Sequence, residues 1–95
     1  MRNPEQPSIG QRIAVLASAH DAWLELAVRV ERHAEERAIA WQERHIPGRF
    51  QDLMPHQLPE RLWHRYHRQE MKYGDRLARA DAHARKADAC AAAIR

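Results

Sequence analysis

The stretch from Pro59 to Arg95 carries apolar residues at alternating steps of four and three, the spacing of a helix that packs along one seam. Pro59 suits a first helical turn, where its missing N–H would be unpaired anyway. The pattern predicts a helix over residues 59–94, with a kink or break at Gly74 as an open alternative, because glycine weakens a helix interior and Asp75 can cap a new one. The seam residues are Leu62, Tyr66, Tyr73, Leu77, Ala80, Ala84, Ala87, Ala91 and Ile94.

An earlier stretch predicts a second long helix, over residues 8–46. Ser8 and Gln11 match a capping box that starts a helix, and Pro47-Gly48 ends it. Additional apolar residues, among them Leu24, Leu26 and Val28, widen the seam, and so broad a stripe is typical of a helix with more than one neighbour. The seam itself is Ile13, Leu16, His20, Trp23, Ala27, Val30, Ala34 and Trp41.

The connector, residues 47–58, predicts one short helical turn at residues 50–54, with Phe50, Leu53 and Met54 covering the end of the bundle or, alternatively, forming a partner site. An antiparallel docking of the two helices places large residues of the first opposite alanines of the second, including His20 opposite Ala84. The same register predicts interhelical apolar and ion pairs: Trp41 with Trp63, Ala27 with Leu77, Ile13 with Ala91, Glu43 with Arg61, Glu36 with Arg68 and Glu25 with Arg79.

These patterns predict an all-α fold, a long antiparallel helical hairpin. We expect a single helical domain over residues 1–95, with residues 1–7 as a flexible tail. Two helices leave much apolar surface uncovered, so we expect a homodimer that completes a four-helix bundle. The residues predicted to form the core or the dimer contact are Ile13, Leu16, Trp23, Leu24, Leu26, Trp41 and Leu77.

A basic stripe follows one side of the second helix: Arg61, Arg65, Arg68, Lys72, Arg76, Arg79, His83 and Lys86. Residues at steps of three and four share a helical face. Two interpretations remain open: a solvated flank that pairs with acids of the first helix, or a face that binds a polyanion. Trp63 and Tyr66 lie near the start of this stripe. They belong to the predicted partner surface because tryptophan and arginine are frequent at interface hot spots. The predicted partner-binding set is Arg61, Trp63, Arg65, Tyr66, Arg68, Lys72, Arg76 and Arg79.

No catalytic triad, phosphate-binding loop or cofactor motif is present, so we expect a protein that is not an enzyme and holds neither cofactor nor metal. The four residues Glu60, His64, His67 and Glu70 have a spacing that suits zinc, yet surface histidines explain them as well. A di-iron bundle would need Glu-x-x-His on two helices, and the first helix has none. The seam residue His20 is expected to be partly buried.

The composition of the chain bears on its source organism and its cellular compartment. Fourteen arginines against two lysines, with much alanine, are typical of a GC-rich bacterial coding sequence. Cys90 is the single cysteine, and the sequence shows neither a leader-like apolar segment nor a span of about 20 apolar residues. We therefore expect a cytoplasmic protein. The net charge of +3 is unevenly spread, with the basic excess in the second half.

The leading hypothesis on function is a non-enzymatic protein-interaction protein. It would be a small bacterial or mobile-element accessory or inhibitor protein, as encoded by phages, that docks its arginine-rich helical face on a protein partner and blocks or bridges it. The alternative is a small basic nucleic-acid-binding accessory protein that uses the same stripe. Against the alternative stand the acids of the second helix and the modest net charge.

Overall fold

The computed structural model describes residues 8–95, and within that range the chain is an all-α helical hairpin. Helix α1 comprises Ile9–His45 and helix α2 comprises Glu60–Ile94, with two short 3-10 turns between them at Gly48–Phe50 and Pro55–Gln57. The predicted fold class is confirmed, while the predicted flexible tail lies outside the described residues. Neither described helix contains an apolar stretch that could cross a membrane.

The start of α1 is fixed by the predicted capping box. The amide of Gln11 donates to Ser8 Oγ at 3.0 Å, and the amide of Ser8 donates to Gln11 Oε1 at 2.7 Å. Two backbone donors that no helical carbonyl could reach are thereby satisfied. α1 ends because Ile46, which precedes Pro47, takes an extended conformation (φ −102°, ψ 113°).

The connector folds differently from the prediction. Its two turns lie on either side of the predicted one at residues 50–54, where only the bond from the Leu53 amide to the Phe50 carbonyl (3.1 Å) remains. Ile46 and Leu58 are the buried residues at this end, whereas Met54 is 59% exposed. Ile46 and Leu58, next to the last residue of α1 and near the first of α2, therefore cover the end of the hairpin.

Helix α2 is continuous through Gly74, so the alternative of a break is excluded. Pro59 is the N-cap rather than the first helical residue, and its carbonyl accepts from the Trp63 amide at 2.8 Å. Gly74 lies well inside a helix of 35 residues. Packing along the whole length of α2 outweighs the roughly 1 kcal/mol that glycine costs relative to alanine.

The helices meet along alanines. Ala27 and Ala34 of α1 are buried, as are Ala80 and Ala87 of α2, and in each helix the two are seven residues apart. Among the described residues no large side chain is fully buried. Leu16, Trp23, Leu26, Trp41 and Leu77 are half-buried beside this seam. Ile13 and Leu24 lie outside it, 42% and 45% exposed, so the prediction of Ile13 as a seam residue is wrong.

The register differs from the predicted one. Trp23 stacks on His83, with ring centroids 5.5 Å apart, two positions beyond the residue that the predicted register places opposite it. Trp63 stacks on His67 of its own helix instead of Trp41. Within residues 8–95 no ion pair joins the two helices, so the three predicted interhelical pairs are wrong. Glu25 pairs with Arg29, one turn along α1, at 3.1 Å.

Gly74→Ala should stabilise the hairpin. A β-carbon added at this position meets no atom within 4 Å, so the substitution adds helix propensity without a clash. We expect the free energy of unfolding to rise by about 0.5–1 kcal/mol in urea titrations followed by circular dichroism. The exposed Ala78→Gly on the same helix is the matched control and should lower it by a similar amount. A loss of stability in Gly74→Ala would show that α2 bends at this point.

Candidate functional site

Three adjoining shallow clefts lie where α1 and α2 approach the connector. The first is lined by Arg61, His64, Arg65, His67 and Arg68 of α2. The second brings α1 residues Trp41 and His45 beside Arg65, Arg68, Gln69 and Lys72. The third is lined by Arg37, Ala40, Trp41, Arg44, His45, Gln69 and Arg76. Because these clefts share residues, they form one surface centred on Trp41.

We call this surface the cationic face and define it by Arg37, Arg44, His45, Arg61, Arg65, Arg68, Lys72 and Arg76. Among residues 8–95, no acidic residue lines any of its three clefts. In the described part of the chain, none of these eight side chains forms an ion pair. The interpretation of the stripe as a flank paired with acids of α1 is therefore wrong.

The acids of α1 that were expected to neutralise the stripe are engaged elsewhere. Glu25 pairs with Arg29, and Glu36 lies 3.8 Å from His33, one turn earlier on the same helix. Glu43 lines a separate cleft beside the connector, which we call the connector cleft. An exposed ion pair contributes little to the free energy of folding, whether it lies within one helix or joins two. Pairing of these acids within α1 is therefore no less favourable than pairing with α2.

The last two residues of the basic stripe, His83 and Lys86, contact α1. His83 stacks on the Trp23 ring with an interplanar angle of 22°, and Lys86 Nζ lies 4.4 Å from the centroid of the same ring. These contacts are an aromatic stack and a cation–π interaction, each worth about 0.5–1 kcal/mol. Trp23 thus holds the far end of the hairpin together, and the stripe lies around the clefts only from Arg61 to Arg76.

Two polar atoms are buried between the helices without a hydrogen-bond partner in the described structure: Arg76 Nη1 and His83 Nδ1. Arg76 is half-buried and lines the third cleft. A buried guanidinium N–H without an acceptor is unfavourable by about 1–3 kcal/mol. Among the described residues, no acceptor lies within hydrogen-bond distance of Arg76 Nη1.

The aromatic residues of the predicted partner surface separate onto different sides. Trp63 is half-buried, stacked on His67 with an interplanar angle of 2°, and meets His64 edge-on. Tyr66 lines the connector cleft and not the cationic clefts. Burial raises the pKa of the Tyr66 hydroxyl, and a hydrogen bond to Glu70 and the charge of that residue add to the rise. Arg79 is exposed and lines none of the three cationic clefts.

The connector cleft has a volume of about 310 Å³, a lining of both polar and apolar residues, and no residue in common with the cationic clefts. Its walls come from both helices and from the connector. It contains Phe50 and Leu53, two of the three connector residues predicted as a cover or a partner site. The full lining is Ile39, Gln42, Glu43, Ile46, Phe50, Gln51, Leu53, Pro55, Leu58 and Tyr66.

The contribution of α1 to the cationic face is absent from the sequence prediction. Arg37, Trp41 and Arg44 lie four and three residues apart, so they share one side of α1, and His45 stacks beside Trp41 at 5.1 Å. This spacing is visible in the sequence. The prediction missed its significance because the predicted register assigned Trp41 to a contact with Trp63.

The histidines near the connector are paired or stacked. His64 Nε2 lies 3.7 Å from Glu60 Oε1, and His67 stacks on Trp63. Across residues 8–95, no three side chains of the His, Cys, Asp or Glu type come together as a metal site would require. Cys90 is a free, half-buried thiol on α2.

No family model matches the chain, and neither a curated protein nor a solved structure shows significant similarity to it.

Arg76→Met tests whether the buried guanidinium is held at the expense of stability. Methionine keeps the long apolar stem and removes the unpaired N–H groups, so we expect the free energy of unfolding to rise by about 1 kcal/mol. The exposed Arg79→Met is the control and should change it by less than about 0.5 kcal/mol. A clear loss of stability in Arg76→Met would mean that Arg76 has a partner within the folded chain.

Proposed function

We propose that this protein is a non-enzymatic protein-interaction protein whose cationic face docks on an acidic surface of a partner protein. The observation that carries the proposal is that seven arginine and lysine side chains and His45 converge on one surface without a single acid among them. Like charges at such spacing repel one another by up to about 1 kcal/mol per close pair in water. A partner that brings carboxylates removes this repulsion.

The chemistry of the face favours carboxylate groups as its ligands. Six of its cations are arginines, whose planar guanidinium groups bind carboxylates through two parallel hydrogen bonds. Arg76, which is half-buried, lines the same cleft as Arg37 and Arg44. A carboxylate in this cleft would accept from more than one of these side chains.

Trp41 gives the face an apolar centre. It is half-buried, lines two of the three clefts and stacks beside His45. Tryptophan surrounded by arginine is the composition of interface hot spots, because the ring buries a large area while its neighbours exclude water. The helical backbone on both sides holds these groups in fixed positions, which lowers the entropy lost on binding.

Such a rigid rod would act by covering a functional surface of its partner or by bridging two partners. We propose an accessory or inhibitor role in bacteria or on a mobile element, which rests on the small size of the chain and on its excess of arginine over lysine. We also propose a cytoplasmic location, which rests on the single cysteine and on sequence composition.

The second candidate is binding of nucleic acid, and one observation favours it. Arg61, Arg65, Arg68 and Lys72 follow one another along about 16 Å of helix, a spacing that suits successive phosphates. The net charge of only +3 and the acids Glu70, Asp75, Asp81 and Asp88 on the same helix make an extended polyanion the less favoured partner.

Co-purification from native host cells, with and without nuclease, separates the two candidates. We expect a protein to be retained after nuclease treatment, and we expect its affinity to fall at least about tenfold when Arg65→Glu and Arg68→Glu are combined. The matched control combines Arg79→Glu and Arg95→Glu, which changes the net charge of the chain equally at exposed positions outside the cationic face. The control variant should still co-purify with the partner protein.

Two results would contradict the proposal. The first is a retained protein that binds both double variants equally, since the cationic face would then be irrelevant. The second is nucleic acid alone, lost on nuclease treatment, with an affinity that falls steeply with salt and with Arg65→Glu and Arg68→Glu combined; this result would establish the second candidate.

A further inference from the structure

The first half of α1 has an apolar side that the other described residues leave partly exposed. Ile13, Leu24 and Val28 are 42%, 45% and 48% exposed, and Ala17 is exposed beside them. These four residues, which we call the apolar face, lie on one side of α1 because they follow one another at steps of four and seven. A row of such side chains facing water is unusual for a stable monomer, in which exposed apolar residues are scattered singly.

The apolar face lies away from the cationic face. Val28 and Ile39 are eleven residues apart, about three helical turns, and so share a side of α1. Ile39 lines the cleft with Tyr66, whereas the cationic clefts are lined by Arg37, Ala40 and Arg44. The apolar face and the cationic face can therefore be occupied at the same time.

The spacing of the apolar face is symmetric about one point. Ile13 and Val28 are equally far from the midpoint between His20 and Asp21, and so are Ala17 and Leu24. If a second α1 runs antiparallel across this midpoint, Ile13 meets Val28 of the second copy and Ala17 meets Leu24. His20, which bonds Asp21 at 3.0 Å within the chain, then faces an aspartate of the second copy and not another histidine. A surface that complements itself in this way fits a twofold interface.

We propose that the apolar face binds a second copy of this chain, with the two α1 helices antiparallel and a twofold axis between His20 and Asp21. Three of the four residues of this face are branched aliphatic side chains that are each more than 40% exposed, and burial of their apolar surface favours association.

The resulting dimer is long, with one cationic face near each end. Trp41 lies about 20 residues from the axis, so the two Trp41 side chains are separated by roughly 60 Å along the paired helices. None of the residues that define the cationic face belongs to the apolar face. The dimer thus presents two docking sites in opposite directions, which suits bridging of two partner molecules.

Cross-linking of two single-cysteine variants tests the antiparallel register. One variant carries Ile13→Cys and the other Val28→Cys, each in a full chain in which Cys90→Ser removes the native thiol. A short thiol cross-linker should join the two variants when they are mixed. Each variant alone should give no cross-linked dimer, because identical residues lie about 22 Å apart across the axis. Cross-linking within either variant alone, or none in the mixture, would overturn the register.

Size-exclusion chromatography with light scattering tests whether the apolar face forms the dimer contact. The unmodified chain should have twice its mass of 11.1 kDa. Leu24→Glu should have the mass of one chain with its helical circular dichroism retained, since two carboxylates would be buried at the interface. Val15→Glu is the matched control, because Val15 is 67% exposed on α1 but lies off the apolar face. A monomeric unmodified chain, or a dimer that persists in Leu24→Glu, would overturn the proposal, and neither result bears on the cationic face.

Discussion

Close contact between α1 and α2 along four alanines is the interaction on which the rest of the structure depends. Ala34 and Ala87 are each only 1% exposed, and Ala27 and Ala80 are nearly as buried. Because alanine has no side chain beyond its β-carbon, the two backbones approach each other and the large residues move to the edges of the contact. This explains why no large side chain of the described residues is fully buried, and why Trp23 seals the hairpin from the side by stacking on His83.

A thin seam of this kind gives the hairpin two unlike sides. On one side, Trp41 stands among arginines from both helices, and the acids that should neutralise them are paired within α1 or lie elsewhere. On the other side, exposed apolar residues of α1 face water. Neither side is what stability alone would favour, because unpaired like charges repel and exposed apolar side chains are poorly solvated. The two proposed partners, a protein with acidic groups for one side and a second copy for the other, would remove both penalties.

The sequence contained enough to predict the hairpin, because local signals agree with one another. The capping box at Ser8, the stop at Pro47 and the seam spacing each follow from short-range chemistry and are confirmed. The register could not be derived, because alanines seven residues apart fit one another almost equally well after a small slide. Exposed ion pairs contribute too little to select between registers, and Glu25 gains as much from Arg29 on its own helix. The register error in turn hid the part of α1 around Trp41 that completes the cationic face.

The stability of Ala87→Leu, measured by urea unfolding at fixed protein concentration, tests the close contact most directly. If the backbones meet at Ala87, leucine forces them apart, and the free energy of unfolding should fall by about 1–3 kcal/mol. Ala89→Leu, an exposed position on the same helix, should change it by less than about 0.5 kcal/mol. An Ala87→Leu variant as stable as Ala89→Leu would show that the helices are not in close contact, and the separation into a cationic and an apolar side would lose its structural basis.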